Sequence, residues 1–154
     1  MTSALAGLRV LDLSDSISGG WCTRLMADFG ANVIVVEPSE GLAIRALEPK
    51  DANGRSIPAT YVLANKQSIA LDLAAPDGSQ VLADLLATVD VVVLSASSLT
   101  AADVDLDALH EADRKLVSVT ISPHGEVGPR AGLPGNDLTA YAWSGWAGVN
   151  GRAD

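Results

Sequence analysis

Short, β-branched apolar runs that alternate with stretches of helical period are the feature that most narrows the fold of this chain. The runs are Leu8-Arg9-Val10-Leu11-Asp12-Leu13, Asn32-Val33-Ile34-Val35-Val36-Glu37, Ser68-Ile69-Ala70-Leu71-Asp72-Leu73, Asp90-Val91-Val92-Val93-Leu94 and Lys115-Leu116-Val117-Ser118-Val119-Thr120-Ile121. Runs this short and this apolar read as strands covered on both faces, because a half-exposed strand would alternate with polar residues. Between the first two runs, polar residues 14–18 and the break Gly19-Gly20 precede Trp21, Leu25, Met26 and Phe29 at helical spacing, and Gly30 stops that helix. Pro76 suits the first turn of another helix, whose stripe of Val81, Leu82, Leu85 and Leu86 leads into the fourth run. The rhythm predicts an α/β fold, a Rossmann-like parallel sheet with helices on both faces.

The remaining segments are less regular. Residues 38–58 carry Gly41, Pro49, Asn53 and Gly54 without a period and predict an excursion loop with a helical turn over 42–47, followed by a short helix over 59–64. Acidic residues 103–113 predict a short helix with Leu106 and Leu109 facing in, and residues 122–135 a Gly/Pro-rich loop. From Asp137 a last helix places Leu138, Tyr141, Ala142, Gly145 and Trp146 on one face, while Trp143 falls on another. A helix that is apolar on two sides needs a cover. We therefore read residues 1–154 as a single Rossmann-like domain that is the amino-terminal part of a longer subunit or an obligate oligomer.

Charge and composition exclude several functions. Ten Lys plus Arg against nineteen Asp plus Glu give −9, which repels a nucleic-acid backbone and an anionic membrane surface alike, so neither is an expected partner. Cys22 is the only cysteine, and with His110 and His124 as the only histidines no spacing reads as a zinc site, so no metal is expected. The opening residues lack the charged and apolar regions of a secretion signal, and the expected location is cytoplasmic.

Sheets of this kind take ligands beyond the carboxyl ends of their strands, which directs attention to the loops after each run. Gly19-Gly20 before a helix suggests either backbone N–H groups offered to a phosphate or a plain tight turn. Glu37 closes the second run 17 residues after Gly20, near the separation at which an acid grips a ribose hydroxyl in NAD-type dinucleotide domains, although G-x-G-x-x-G is absent. Arg45, Lys66 and Arg130 are the loop cations available to neutralise a phosphate or to sit in solvent. His124 has no nucleophile pattern beside it, Cys22 reads as a core residue, and Asp137 reads as the cap of the last helix.

Taken in order, several motifs go further. They are Leu5-Ala6-Gly7-Leu8-Arg9-Val10-Leu11-Asp12-Leu13, Ala27-Asp28-Phe29-Gly30-Ala31-Asn32-Val33-Ile34, Asn65-Lys66-Gln67-Ser68-Ile69-Ala70-Leu71-Asp72-Leu73, Asp90-Val91-Val92-Val93 and Gly135-Asn136-Asp137. Their order and spacing resemble the amino-terminal part of the family III CoA-transferases, the CaiB/BaiF group. The resemblance implies a Rossmann-like half of a subunit that interlocks with its twin as a homodimer when full length. It also implies coenzyme A as carrier, with an acyl-CoA and a carboxylic acid as partners. In the family a carboxylate attacks the thioester to give a mixed anhydride and then an aspartyl-CoA intermediate. That aspartate falls beyond the segment matching Gly151 to Asp154, so the resemblance assigns no catalytic residue here and implies that the segment alone is inactive.

Carried over position by position, CoA meets Ser16 and Ile17 after the first strand, Pro38 after the second, Leu71 and Ala74 around the third, and Ser95 and Ala96 after the fourth. The chain departs from the pattern at several of these. Pro38 stands where family sequences carry an arginine, Leu42 interrupts Gly-Asp-x-x-Arg although Arg45 remains, and Leu94-Ser95 replaces Glu-Asn. CoA bears about four negative charges, so the lost cations predict weaker binding. Asn136 replaces the proton-shuttling histidine of the racemase members and cannot titrate near neutrality, which disfavours that activity. Two rivals stand beside the transferase reading: a non-catalytic structural or dimerising half of a tandem protein, and a NAD-type dinucleotide domain.

Overall fold

A computed structural model describes residues 3–75, 77–95, 111 and 115–151. The chain forms two units, residues 1–121 and 122–154. The first holds strands β1 (Arg9–Asp12), β2 (Asn32–Glu37), β3 (Gln67–Ala70), β4 (Val91–Ser95) and β5 (Val117–Ile121), with helices α1 (Ile17–Asp28), α2 (Ile57–Val62) and α3 (Gly78–Leu86) and a 3-10 turn at Ala43–Ala46. All strand pairs are parallel in the order β3-β2-β1-β4-β5, the order of the doubly wound nucleotide-binding sheets. The expected fold class is therefore the observed one.

Alternation along the strands sorts the core into two layers. Leu11, Leu13, Val36, Val92 and Leu94 face α3 and meet Leu82 and Leu86. Val10, Val33, Val91 and Val93 face the opposite way and meet Ala27 and Ala31. Val10, Leu11, Val92, Val93 and Leu94 are fully excluded from solvent, and each such side chain contributes about 1.5–3 kcal/mol of transfer free energy.

Helix α1 departs from the expected reading. It starts at Ile17 and runs through Gly19-Gly20, and its buried residues are Gly19, Gly20, Thr23 and Ala27. Trp21, Leu25 and Phe29, the large apolar residues at helical spacing, are 41%, 43% and 58% exposed. The reason is distance. A Cβ on Gly19 would lie 2.3 Å from the Ser14 Cβ, and one on Gly20 would lie 2.4 Å from the Val62 Cγ1, so this helix approaches the β1 loop and α2 through its small residues. Its large ones turn outward, where Trp21 stacks on Tyr61 at 5.3 Å. Gly30, at φ +97°, then ends the helix in a conformation that disfavours a side chain.

Smaller shifts follow the same logic. The third strand spans Gln67–Ala70 rather than 68–73, and Leu71 and Leu73 pack against the α3-side core as loop residues. The 3-10 turn falls within the predicted 42–47, and α2 begins two residues before the predicted helix, with Ser56 as its cap. Pro76, Ala96, and the helix expected around Leu106 and Leu109 lie outside the described residues.

In the second unit, α4 (Asp137–Trp143) is capped by Asn136, whose side chain accepts from the Thr139 N–H at 3.1 Å while the Thr139 hydroxyl oxygen accepts from the Asn136 N–H at 2.8 Å. Asp137, expected as the cap, is the first helical residue instead. A 3-10 turn follows at Trp146–Val149, and no residue of either element is buried.

Candidate functional site

The carboxyl ends of β1 and β2, together with the start of β3, carry two networks of buried charge. In the first, the Asp12 carboxylate and the Lys66 side chain are each 1% exposed. The Lys66 ammonium has three acceptors in reach: Asp12 Oδ2 at 3.1 Å, the Gly20 carbonyl at 2.7 Å and Thr23 Oγ1 at 2.6 Å. The Thr23 hydroxyl donates to Asp12 Oδ2 at 2.5 Å, and Asp12 Oδ1 accepts from the Ser14 N–H and hydroxyl at 3.0 and 2.6 Å. One aspartate thus ties the β1 loop, α1 and the segment before β3 together. Burial holds the Lys66 ammonium below its ordinary pKa, partly offset by the Asp12 charge. Burial, and then the Asp12 charge, also push up the pKa of the half-buried Cys22 thiol.

The second network is centred on Glu37, 7% exposed at the end of β2. Arg45 binds it through Nε at 2.6 Å and Nη2 at 2.7 Å, the Leu42 N–H donates at 3.2 Å, and the Ser68 hydroxyl donates from β3. Arg45 first, then the Ser68 hydroxyl and the Leu42 amide, overcome the cost of burial and lower the carboxyl pKa to about 2. This carboxylate fastens the excursion loop down onto the sheet.

Above it lies a cavity of about 400 Å³ lined by residues from the β1, β2 and β3 loops, among them Leu13, Asp15, Pro38, Leu42, Leu71 and Ala74. Leu71 reaches it because its N–H continues the ladder to the Glu37 carbonyl at 2.9 Å. Three of the expected contact residues, Pro38, Leu71 and Ala74, therefore share one cavity. Ser16 caps α1 by accepting from the Gly19 N–H at 3.1 Å, and Ile17, the first helical residue, is 54% exposed. Ser95 is buried at the end of β4, where its hydroxyl donates to Asp15 Oδ1 at 2.5 Å and so joins the β1 and β4 loops at the point where the strand order reverses. Ala96 lies outside the described residues. A second cavity of about 470 Å³ lies by α2, with Arg45, Arg55, Thr60 and Gln67 in its lining.

Several readings of the sequence do not survive the geometry. The Gly19 and Gly20 N–H groups are spent on the Ser16 hydroxyl and carbonyl, so they form no phosphate cradle. Glu37 offers no ready acceptor to a ribose because Arg45, Ser68 and Leu42 hold it, which removes the support for a NAD-type site. All three loop cations are engaged: Lys66 by Asp12, Arg45 by Glu37, and Arg130 over the Trp143 ring at 3.3 Å. Asp12 was not singled out in the sequence, although a carboxylate inside an apolar strand signals a buried partner. The identity of that partner, 54 residues away, is not encoded locally.

Comparison with known proteins bears on the family and the fold. The profile described as CoA-transferase family III matches residues 5–154. The chain is 33% identical to a succinate–glutarate CoA-transferase of Agrobacterium fabrum, over 97% of this chain and 40% of that protein. It is 34% identical to a succinyl-CoA:glutarate CoA-transferase of Mus musculus, over 97% of this chain and 35% of that one. Among solved structures, a CaiB/BaiF family protein from Brucella suis superposes with a TM-score of 0.85 at 29% identity, covering all of this chain and 42% of that one. The chain thus spans about 40% of the length of the relatives it matches.

Proposed function

This chain belongs to CoA-transferase family III, and from that premise we propose that its strand-end cavity holds coenzyme A during CoA transfer between an acyl-CoA and a carboxylic acid. The observation that carries the reading is the meeting of Pro38, Leu71 and Ala74 in one 400 Å³ cavity, beside the switch point where Ser95 and Asp15 join their loops. Ser16, Ile17, Ser95 and Ala96 complete the proposed contact set.

In the proposed reaction an aspartate carboxylate attacks the thioester carbonyl, forming a mixed anhydride and releasing the CoA thiolate. The thiolate attacks the aspartyl carbonyl of that anhydride, which frees the first acid and leaves an aspartyl-CoA thioester. The acceptor acid then retraces these steps in reverse. No residue of this chain is assigned as the nucleophile. Its own contribution is to hold the carrier: Asp12 and Glu37 fix the backbone of the β1 and β2 loops, so the cavity is formed before ligand arrives. Acyl exchange between CoA esters and free acids, assayed with the 154-residue chain and with a polypeptide extended beyond Asp154, tests the proposal. Turnover by the extended form alone is expected, whereas turnover by the short form would overturn the assignment of the nucleophile.

We also propose that the full-length protein is a homodimer. The exposed apolar residues of the second unit favour this: Leu138, Trp143, Trp146 and Val149 are 60–74% exposed. Sedimentation of the extended polypeptide as a monomer at micromolar concentration would contradict it.

A further inference from the structure

The lining of the strand-end cavity carries a charge of the same sign as the carrier assigned to it. Asp15, Glu37, Glu40 and Asp72 line it, and among its described lining residues there is no lysine, arginine or histidine. Glu37 is offset by Arg45. Glu40 accepts from the Ser39 hydroxyl at 3.1 Å, and Asp72 Oδ1 accepts from the Ala74 N–H at 2.9 Å. Neither has an ion-pair partner among the described residues, and each of these hydrogen bonds occupies one carboxylate oxygen of the two.

The rest of the wall is apolar, chiefly Leu13, Val36, Leu42, Leu71 and Leu73. Such walls suit a flat base or an alkyl-amide arm, and carboxylate oxygens accept from an amine or a hydroxyl. They repel a phosphate. At Ala74 and Pro38 the cavity also lacks side chains able to offset that repulsion.

We propose that this cavity selects the less anionic form of its carrier, so that a CoA whose ribose ends in a free 3′-hydroxyl binds more tightly than CoA itself. The proposal rests on the CoA-binding reading above and adds the ligand class. The acids are exposed and screened, so the discrimination is modest: roughly three- to tenfold at low salt.

Calorimetric titration of the 154-residue chain with CoA and with dephospho-CoA, at about 10 mM and about 150 mM salt, tests it, because the screening length shortens from about 30 Å to about 8 Å between these strengths. The expected result is tighter binding of dephospho-CoA, with a gap that narrows in salt and closes in the Glu40→Gln/Asp72→Asn double variant, whose side chains retain an acceptor oxygen. CoA binding equally or more tightly would overturn the selectivity while leaving the CoA reading intact. Failure of both carriers to bind at millimolar concentration would remove the CoA reading and the selectivity together.

Discussion

The two units of this chain keep their shape by different means. In the first, the largest fully buried residues include the charged Asp12 as well as Leu11, Val92 and Leu94, so a core and a buried network reinforce each other. In the second, α4 buries no residue, Val127 is 93% exposed, and the Ser122 and Tyr141 hydroxyls are buried without hydrogen-bond partners among the described residues. Its order is local, resting on the Asn136 capping box and the stacking of Arg130 on Trp143. The difference teaches where function resides in this chain. The first unit presents a cavity at its strand ends, and the second presents exposed apolar surface.

The sharpest way to break that comparison is Lys66→Met. It leaves the Asp12 carboxylate buried without its cation, and chemical denaturation of the first unit should register a loss of about 3–5 kcal/mol. A loss under 1 kcal/mol would mean that the network is wetter than its burial indicates. Next in size is Gly20→Ala. The new methyl meets Val62 at 2.4 Å, and overpacking of this kind costs about 1–3 kcal/mol in the same measurement.

Acid should act more gently, through Glu37. Its folded pKa of about 2 lies below the ordinary 4.5, so its contribution is complete above pH 4.5 and is lost as pH falls through 2. Because Arg45 is 45% exposed and partly screened, the loss should be about 1–2 kcal/mol, read as the difference between wild type and Glu37→Gln across pH 2–5. Parallel curves would contradict it. Smallest of all is Trp143→Ala, expected to cost at most about 1 kcal/mol, because the ring is 60% exposed and its stacking with Arg130 is a surface cation–π contact. A larger loss would show that the second unit has a core of its own.

The middle of the sheet was legible because β1, β2 and β4 are mostly buried and so read as unbroken apolar runs, whereas the outer strands β3 and β5 are more exposed. Helix α1 was not. Its inward face is made of glycine, threonine and alanine, which carry almost no hydropathy signal, while its conspicuous Trp21, Leu25 and Phe29 point outward. For the proposed site, the sequence pointed to residues but not to their wiring. The family motifs led to Pro38, Leu71 and Ala74, which share a cavity. They did not reveal that Arg45 and Lys66 are consumed by Glu37 and Asp12, because both pairs form across loops whose paths no local rule fixes.

The central claim is that the strand-end cavity of the first unit receives coenzyme A. Titration of CoA into the chain beside Leu71→Asp, whose new charge would stand within that cavity, tests it most directly. Saturable binding at one site, weakened at least roughly tenfold by a carboxylate placed against the carrier while the circular dichroism spectrum is unchanged, is the predicted result. Binding of equal strength in both proteins would place the carrier elsewhere and contradict the account.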